Sequence, residues 1–100
     1  MVADASRSSA TPRRFQASPD ALATRVGDEI VLVDLTTDRI YSLNRTAARM
    51  WELVSAGTDR PQVEERMLAE FDVARDQLAE AIDEFIASMC RDGLLLVRST

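Results

Sequence analysis

Histidine and lysine are absent from this 100-residue chain, cysteine occurs once, and glycine and proline occur three times each. Each shortage removes a class of chemistry. Without histidine there is no imidazole for acid–base catalysis, no Cys–His nucleophilic pair and no zinc site of the usual Cys/His type. With Cys90 alone, no internal disulfide can form. Charges interrupt every apolar run well short of a membrane span, and the N-terminal stretch lacks the apolar core of a signal peptide. These absences point to a cytoplasmic, non-catalytic protein with no cofactor, no metal and no membrane partner.

What is present suits one small globular domain. Apolar residues make up 46% of the chain, enough for a modest core. Residues 1–20 share little of that, being rich in Ser, Ala, Thr, Pro and Arg with Phe15 the lone aromatic. They are expected to form a flexible tail, with the domain spanning 21–100. The net charge is −5. Arg7, Arg13 and Arg14 outweigh Asp4 and Asp20 in the tail by +1, which leaves −6 on the remainder. A body that acidic repels phosphate, so nucleic acid is not the expected partner.

From Ala21 the pattern is that of strands. Leu22 to Val26 leads into Gly27-Asp28, a pair suited to a two-residue hairpin loop. Glu29 to Leu35 is apolar and β-branched and ends in the polar cluster Thr36-Thr37-Asp38. Arg39 to Leu43 follows as a third short strand, with Arg39, Tyr41 and Leu43 on one face and Ile40 and Ser42 on the other. Two short connections make an antiparallel meander, which leaves a free edge on an outer strand.

Helical spacing takes over after Asn44, a suitable N-cap. Ala47, Met50, Trp51 and Val54 share a face, and Gly57 ends the helix. Asp59 caps a second helix with Pro61 in its first turn, and Val63, Met67, Leu68 and Phe71 form its apolar stripe. A third is expected from about Val73 to Asp92, capped by Asp72 and closed by Gly93. Leu94 to Val97 is left as either a strand or core packing. The fold class is therefore α+β: a three-stranded antiparallel sheet followed by three helices.

The third helix is wider in its apolar arc than one packing face requires. The arc runs from Ala81 through Phe85, Met89, Ile82 and Ile86 to Ala79 and Cys90, roughly 180° against the ~100° of a single face. The excess has two compatible uses: a helix central to the core, and a margin of the arc that lines a groove beside the sheet edge. Ala79, Ile82, Asp83 and Ile86 are the groove candidates, although Ile82 lies close enough to the arc's centre to be core. Trp51 reads as a core anchor, and Cys90 as a small buried hydrophobe. Glu64-Glu65 and Asp83-Glu84 are sequence neighbours about 100° apart on their helices, so neither pair forms a catalytic dyad.

The run Tyr41-Ser42-Leu43-Asn44-Arg45-Thr46-Ala47-Ala48-Arg49-Met50-Trp51-Glu52-Leu53 resembles the PqqD family. Around it, Gly27-Asp28-Glu29-Ile30, the acidic strand position Asp34, Phe71-Asp72-Val73 and Asp92-Gly93-Leu94-Leu95 also look like that family. The resemblance spans Ala21 to Val97. It implies a winged-helix-like domain known as a RiPP recognition element, a non-catalytic module that binds the leader of a ribosomally made precursor peptide. Such modules present the leader to a maturation enzyme; in lasso-peptide pathways the partner is a separate leader peptidase. The resemblance further implies that the leader adds as a strand to the third strand and lies against the third helix. Arg39, Ile40, Tyr41, Ser42 and Leu43 would then supply edge backbone. Asp76, Ala79, Ile82, Asp83 and Ile86 would line the helix side, with the two aspartates placed to meet a basic leader residue.

A winged-helix regulator that binds DNA is the alternative. Its recognition helix would need Arg, Lys, Asn or Gln toward the major groove. The third helix instead carries Asp76, Glu80, Asp83 and Glu84 against Arg75 and Arg91. Dimerisation through the free edge is a third reading.

Overall fold

The computed structural model describes residues 14–98. Of the tail expected over 1–20, residues 1–13 lie outside the described residues. The rest departs from expectation, because Arg14–Ala17 forms a strand, β1. Phe15, the one aromatic of that stretch, is only 5% exposed. Burying a phenyl ring offsets the ordering entropy that the polar composition of the segment could not.

Next come β2 (Ala21–Val26), β3 (Glu29–Asp34) and β4 (Arg39–Leu43). They form an antiparallel sheet in the order β2-β3-β4. Val26 pairs with Glu29 across the Gly27-Asp28 loop, and Gly27 takes φ 67°, a left-handed turn conformation that glycine adopts without steric cost. Along β3, Ile30, Leu32 and Asp34 point inward and are buried. Register puts Ile30 beside Leu43 and Leu32 beside Tyr41, so the inward face continues onto β4. The opposite face carries Leu22, Val33 and Ile40 in one cross-strand row, with Ile40 69% exposed.

Helix α1 (Arg45–Ser55) begins where Asn44 Oδ1 accepts from the Ala47 amide at 3.0 Å. It buries Ala48, Met50, Trp51, Leu53 and Val54, and touches the sheet, β1 and both other helices. The hub of the core is therefore α1. Asp59 caps α2 (Arg60–Glu70) as expected, and Val63 and Met67 are its buried residues. Helix α3 (Arg75–Arg91) starts later than the sequence suggests. Ala74 is its N-cap and no side chain caps it, so the assignment of Asp72 does not hold. Gly93, at φ 78°, turns the chain into β5 (Leu95–Arg98), which pairs antiparallel with β1. The Ser18 amide donates to the Leu94 carbonyl at 2.9 Å and closes that ribbon. The result keeps the expected α+β class and adds a second, two-stranded layer built from both ends of the domain.

Candidate functional site

Strand β4 is outermost in its sheet, and no described strand pairs with its far side. Its backbone there is a ready template for an extended chain. At its C-terminal end lies a groove of about 440 Å³. One wall is Leu43 of β4 with Asn44, Thr46, Ala47 and Met50 at the start of α1. The other is Ala81, Glu84, Phe85, Ser88 and Met89 of α3. These α3 positions follow the i, i+3, i+4, i+7 spacing of one helix face, so the stripe runs along the groove. Its principal packing partners are α1, α2 and β5, and the groove lies between α3 and the junction of β4 with α1.

The lining is mostly apolar. Met50 and Met89 are buried at its base, Phe85 is half-buried, and Ala81 and Glu84 are exposed. Glu84 is the one charged group among the lining residues. Extended segments and apolar side chains fit such a site, since edge amides and carbonyls pair with backbone while the hollow accepts alternate side chains. Among the described residues no cluster of His, Cys, Asp and Glu could hold a metal ion, and no helix is long and apolar enough to cross a membrane.

Five of the expected residues, Arg39 to Leu43, do lie on the free edge, and Leu43 reaches the groove itself. None of the five expected helix residues lines that groove. Ile82 is fully buried, so its side chain is core. Ala79 is half-buried, and its carbonyl accepts from Arg60 Nη2 at 3.1 Å. Asp76 is exposed at the N-terminal turn of α3, away from the groove lining. Asp83 and Ile86 line a different hollow of about 360 Å³, shared with Phe15, Arg60, Ala87, Cys90 and Val97. Cys90 is only half-buried there.

The physical reason is the β1–β5 ribbon. The wide apolar arc has two margins, and periodicity says nothing about which neighbour takes each. The ribbon and α2 lie on the Ile86 and Cys90 side, and the Ala81 and Phe85 side faces Leu43 and the start of α1. Ala81, Phe85 and Met89 head the arc in the sequence, so the signal was there without its direction. Glu84 and Ser88 carried no signal, because polar residues beside an apolar stripe usually mark solvated surface.

Electrostatics separate the two acids that adjoin in sequence. Asp83 Oδ1 accepts from Arg60 Nε at 2.8 Å, while Glu84 has no ion-pair partner among the described residues. Arg60 also donates to Glu64 at 2.7 Å, and Arg75 donates to the same carboxylate at 2.8 Å. The hydrogen bond from Arg60, opposed by burial, holds Glu64 below the usual carboxylate range.

A small α+β domain presenting a free antiparallel edge beside an apolar helix-lined groove is the class of protein these observations define. The model of the PqqD family, described as coenzyme PQQ synthesis protein D, matches residues 29–95. The chain belongs to the PqqD family. Two solved structures share its fold. One is TbiB1 in complex with the TbiA(beta) leader peptide, 23% identical with a TM-score of 0.74, covering 85% of this chain and 99% of that one. The other is a lasso peptide synthetase B1 complexed with the leader peptide, also 23% identical, with a TM-score of 0.75 and coverage of 83% and 98%. A search of curated proteins finds no match.

Proposed function

We propose that this protein binds the leader segment of a ribosomally synthesised precursor peptide and presents it to a maturation enzyme such as a leader peptidase. The leader adds as a strand to β4 and sets its inward side chains in the groove against α3. The observation that carries this reading is the unpaired β4 edge running into an apolar groove. Membership of the PqqD family supports it, as does the likeness in fold to two proteins whose structures hold leader peptides.

Magnitudes are compatible with useful affinity. Each main-chain hydrogen bond contributes a net ~1 kcal/mol, so three or four alone give only weak binding once association entropy is subtracted. Two apolar side chains buried in the groove add about 1.5–3 kcal/mol each, which brings binding into the micromolar range. The groove thus supplies most of the selectivity and the edge most of the orientation.

The DNA-binding alternative lacks support. Asp76, Glu80, Asp83 and Glu84 all lie exposed on α3, where a recognition helix needs cations. The test is fluorescence anisotropy with a labelled synthetic leader peptide of about twenty residues, lacking its core peptide. Saturable binding at micromolar concentration is expected. Absence of binding at tens of micromolar, with the protein folded, overturns the proposal.

A further inference from the structure

We propose that Glu84 sets a charge preference at this site by pairing with a lysine or arginine of the bound leader. This inference rests on the peptide-binding reading above and adds the chemistry that the groove selects.

Three observations converge on Glu84. First, it is the sole formal charge among ten lining residues, in a hollow otherwise walled by Leu43, Ala47, Met50, Ala81, Phe85 and Met89 with a few neutral polar groups. Second, several acids of the helices are already engaged. Asp83 is held by Arg60, Glu64 by Arg60 and Arg75, and Glu52 and Glu70 by Arg49. Glu84 has no such partner among the described residues. Arg91, two turns further along α3, lies 3.8 Å from Asp92 and donates to Ser88, with no ion pair to Glu84. Third, Glu84 is exposed while Phe85, the next residue, is half-buried. The carboxylate therefore stands at the mouth and the ring lower down, at nearly the same height along the helix.

An apolar wall with a carboxylate at its lip suits one kind of side chain. Lysine and arginine lay their methylene stems on apolar surface while the charged head stays near water. A leader side chain entering from β4 can rest its stem on Phe85 and bring its cation to Glu84. Acidic leader residues at that position meet an uncompensated negative charge in a domain whose described residues already sum to −6. Uncharged apolar residues gain the groove without the ion pair.

Leader anisotropy measured on the full chain, with wild-type protein alongside Glu84→Gln, tests this. Glu84→Gln is expected to weaken binding about two- to fivefold, with the difference shrinking at high salt. Glu84→Arg is expected to weaken it by on the order of tenfold or more. Replacing one Lys or Arg of the leader by Gln should reproduce the first loss, and the two changes together should cost little more than either. A leader carrying Glu at that position should regain affinity for Glu84→Arg. Melting temperatures serve as the fold control, since Glu84 is exposed and unpaired. If the wild type binds the leader and Glu84→Gln binds it equally well, the charge preference is wrong while peptide binding stands. If the wild type binds no leader, both fall.

Discussion

Arg60 and Asp83 tie α2 to α3 through a hydrogen-bonded ion pair of 2.8 Å from Nε to Oδ1. The same guanidinium donates to Glu64 and to the Ala79 carbonyl, so three groups on two helices converge on one side chain. Asp83 is 66% exposed, and an exposed pair is worth little. Asp83→Asn is therefore expected to cost at most about 1 kcal/mol of stability and to leave leader affinity unchanged. Urea unfolding and anisotropy check both halves. A large loss of leader binding would return Asp83 to the site.

Neighbours on α3 separate groove from core. Ala81 is exposed and lines the groove, whereas Ile82 is 0% exposed. Ala81→Arg is expected to fill the groove and weaken leader binding by about tenfold or more at nearly unchanged melting temperature. Ile82→Ala is expected to cost about 2–5 kcal/mol of stability through the cavity it leaves. If Ala81→Arg binds the leader as wild type does, the peptide does not use this groove.

Ile86 supplies the matching control on the opposite margin of the helix. It lines the hollow beneath the β1–β5 ribbon. Ile86→Arg is expected to lower the melting temperature while the folded fraction binds leader as wild type does.

Phe15 anchors the segment whose composition looks unstructured. Its ring packs into the common core at 5% exposure, on a strand paired to β5. Phe15→Ala is expected to cost about 3–5 kcal/mol, a large share of the stability of a domain this size. Thermal unfolding measures it. A loss below about 1 kcal/mol would mean that β1 contributes little to the fold.

Acid should loosen the β3–β4 turn. Asp34 is 5% exposed, and its Oδ1 accepts from the Thr36 hydroxyl at 2.6 Å and the Thr36 amide at 3.0 Å. Those bonds hold its carboxyl below the ordinary 3.8. A carboxyl depressed on folding stabilises fully above its unfolded value and loses that contribution as pH falls through its folded one. The melting temperature is therefore expected to drop below about pH 4, more steeply for wild type than for Asp34→Asn. Parallel pH curves for the two proteins would remove Asp34 as a cause.

Local chemistry made much of this protein legible without coordinates. The Gly27-Asp28 hairpin, the alternation of β3 and the caps at Asn44 and Asp59 are decided by residues within a few positions of one another. The strand carrying Tyr41 and Leu43 could be placed on an edge for the same reason. That no other strand, such as Leu95–Arg98, covers that edge is decided only in the structure. Capping of α3 is the local exception, since Asp72 is a good cap by type but Ala74 takes the position.

What only the tertiary structure decided is which side of α3 faces the sheet. An amphipathic helix records how much of its surface is apolar and leaves open which neighbour covers each part, because burial of apolar area is non-directional. That choice was made by the pairing of Arg14–Ala17 with Leu95–Arg98, two short segments about eighty residues apart whose partnership no local pattern encodes. Once the ribbon covers the Ile86 side, Ala81, Glu84 and Phe85 are left across from Leu43 and the start of α1.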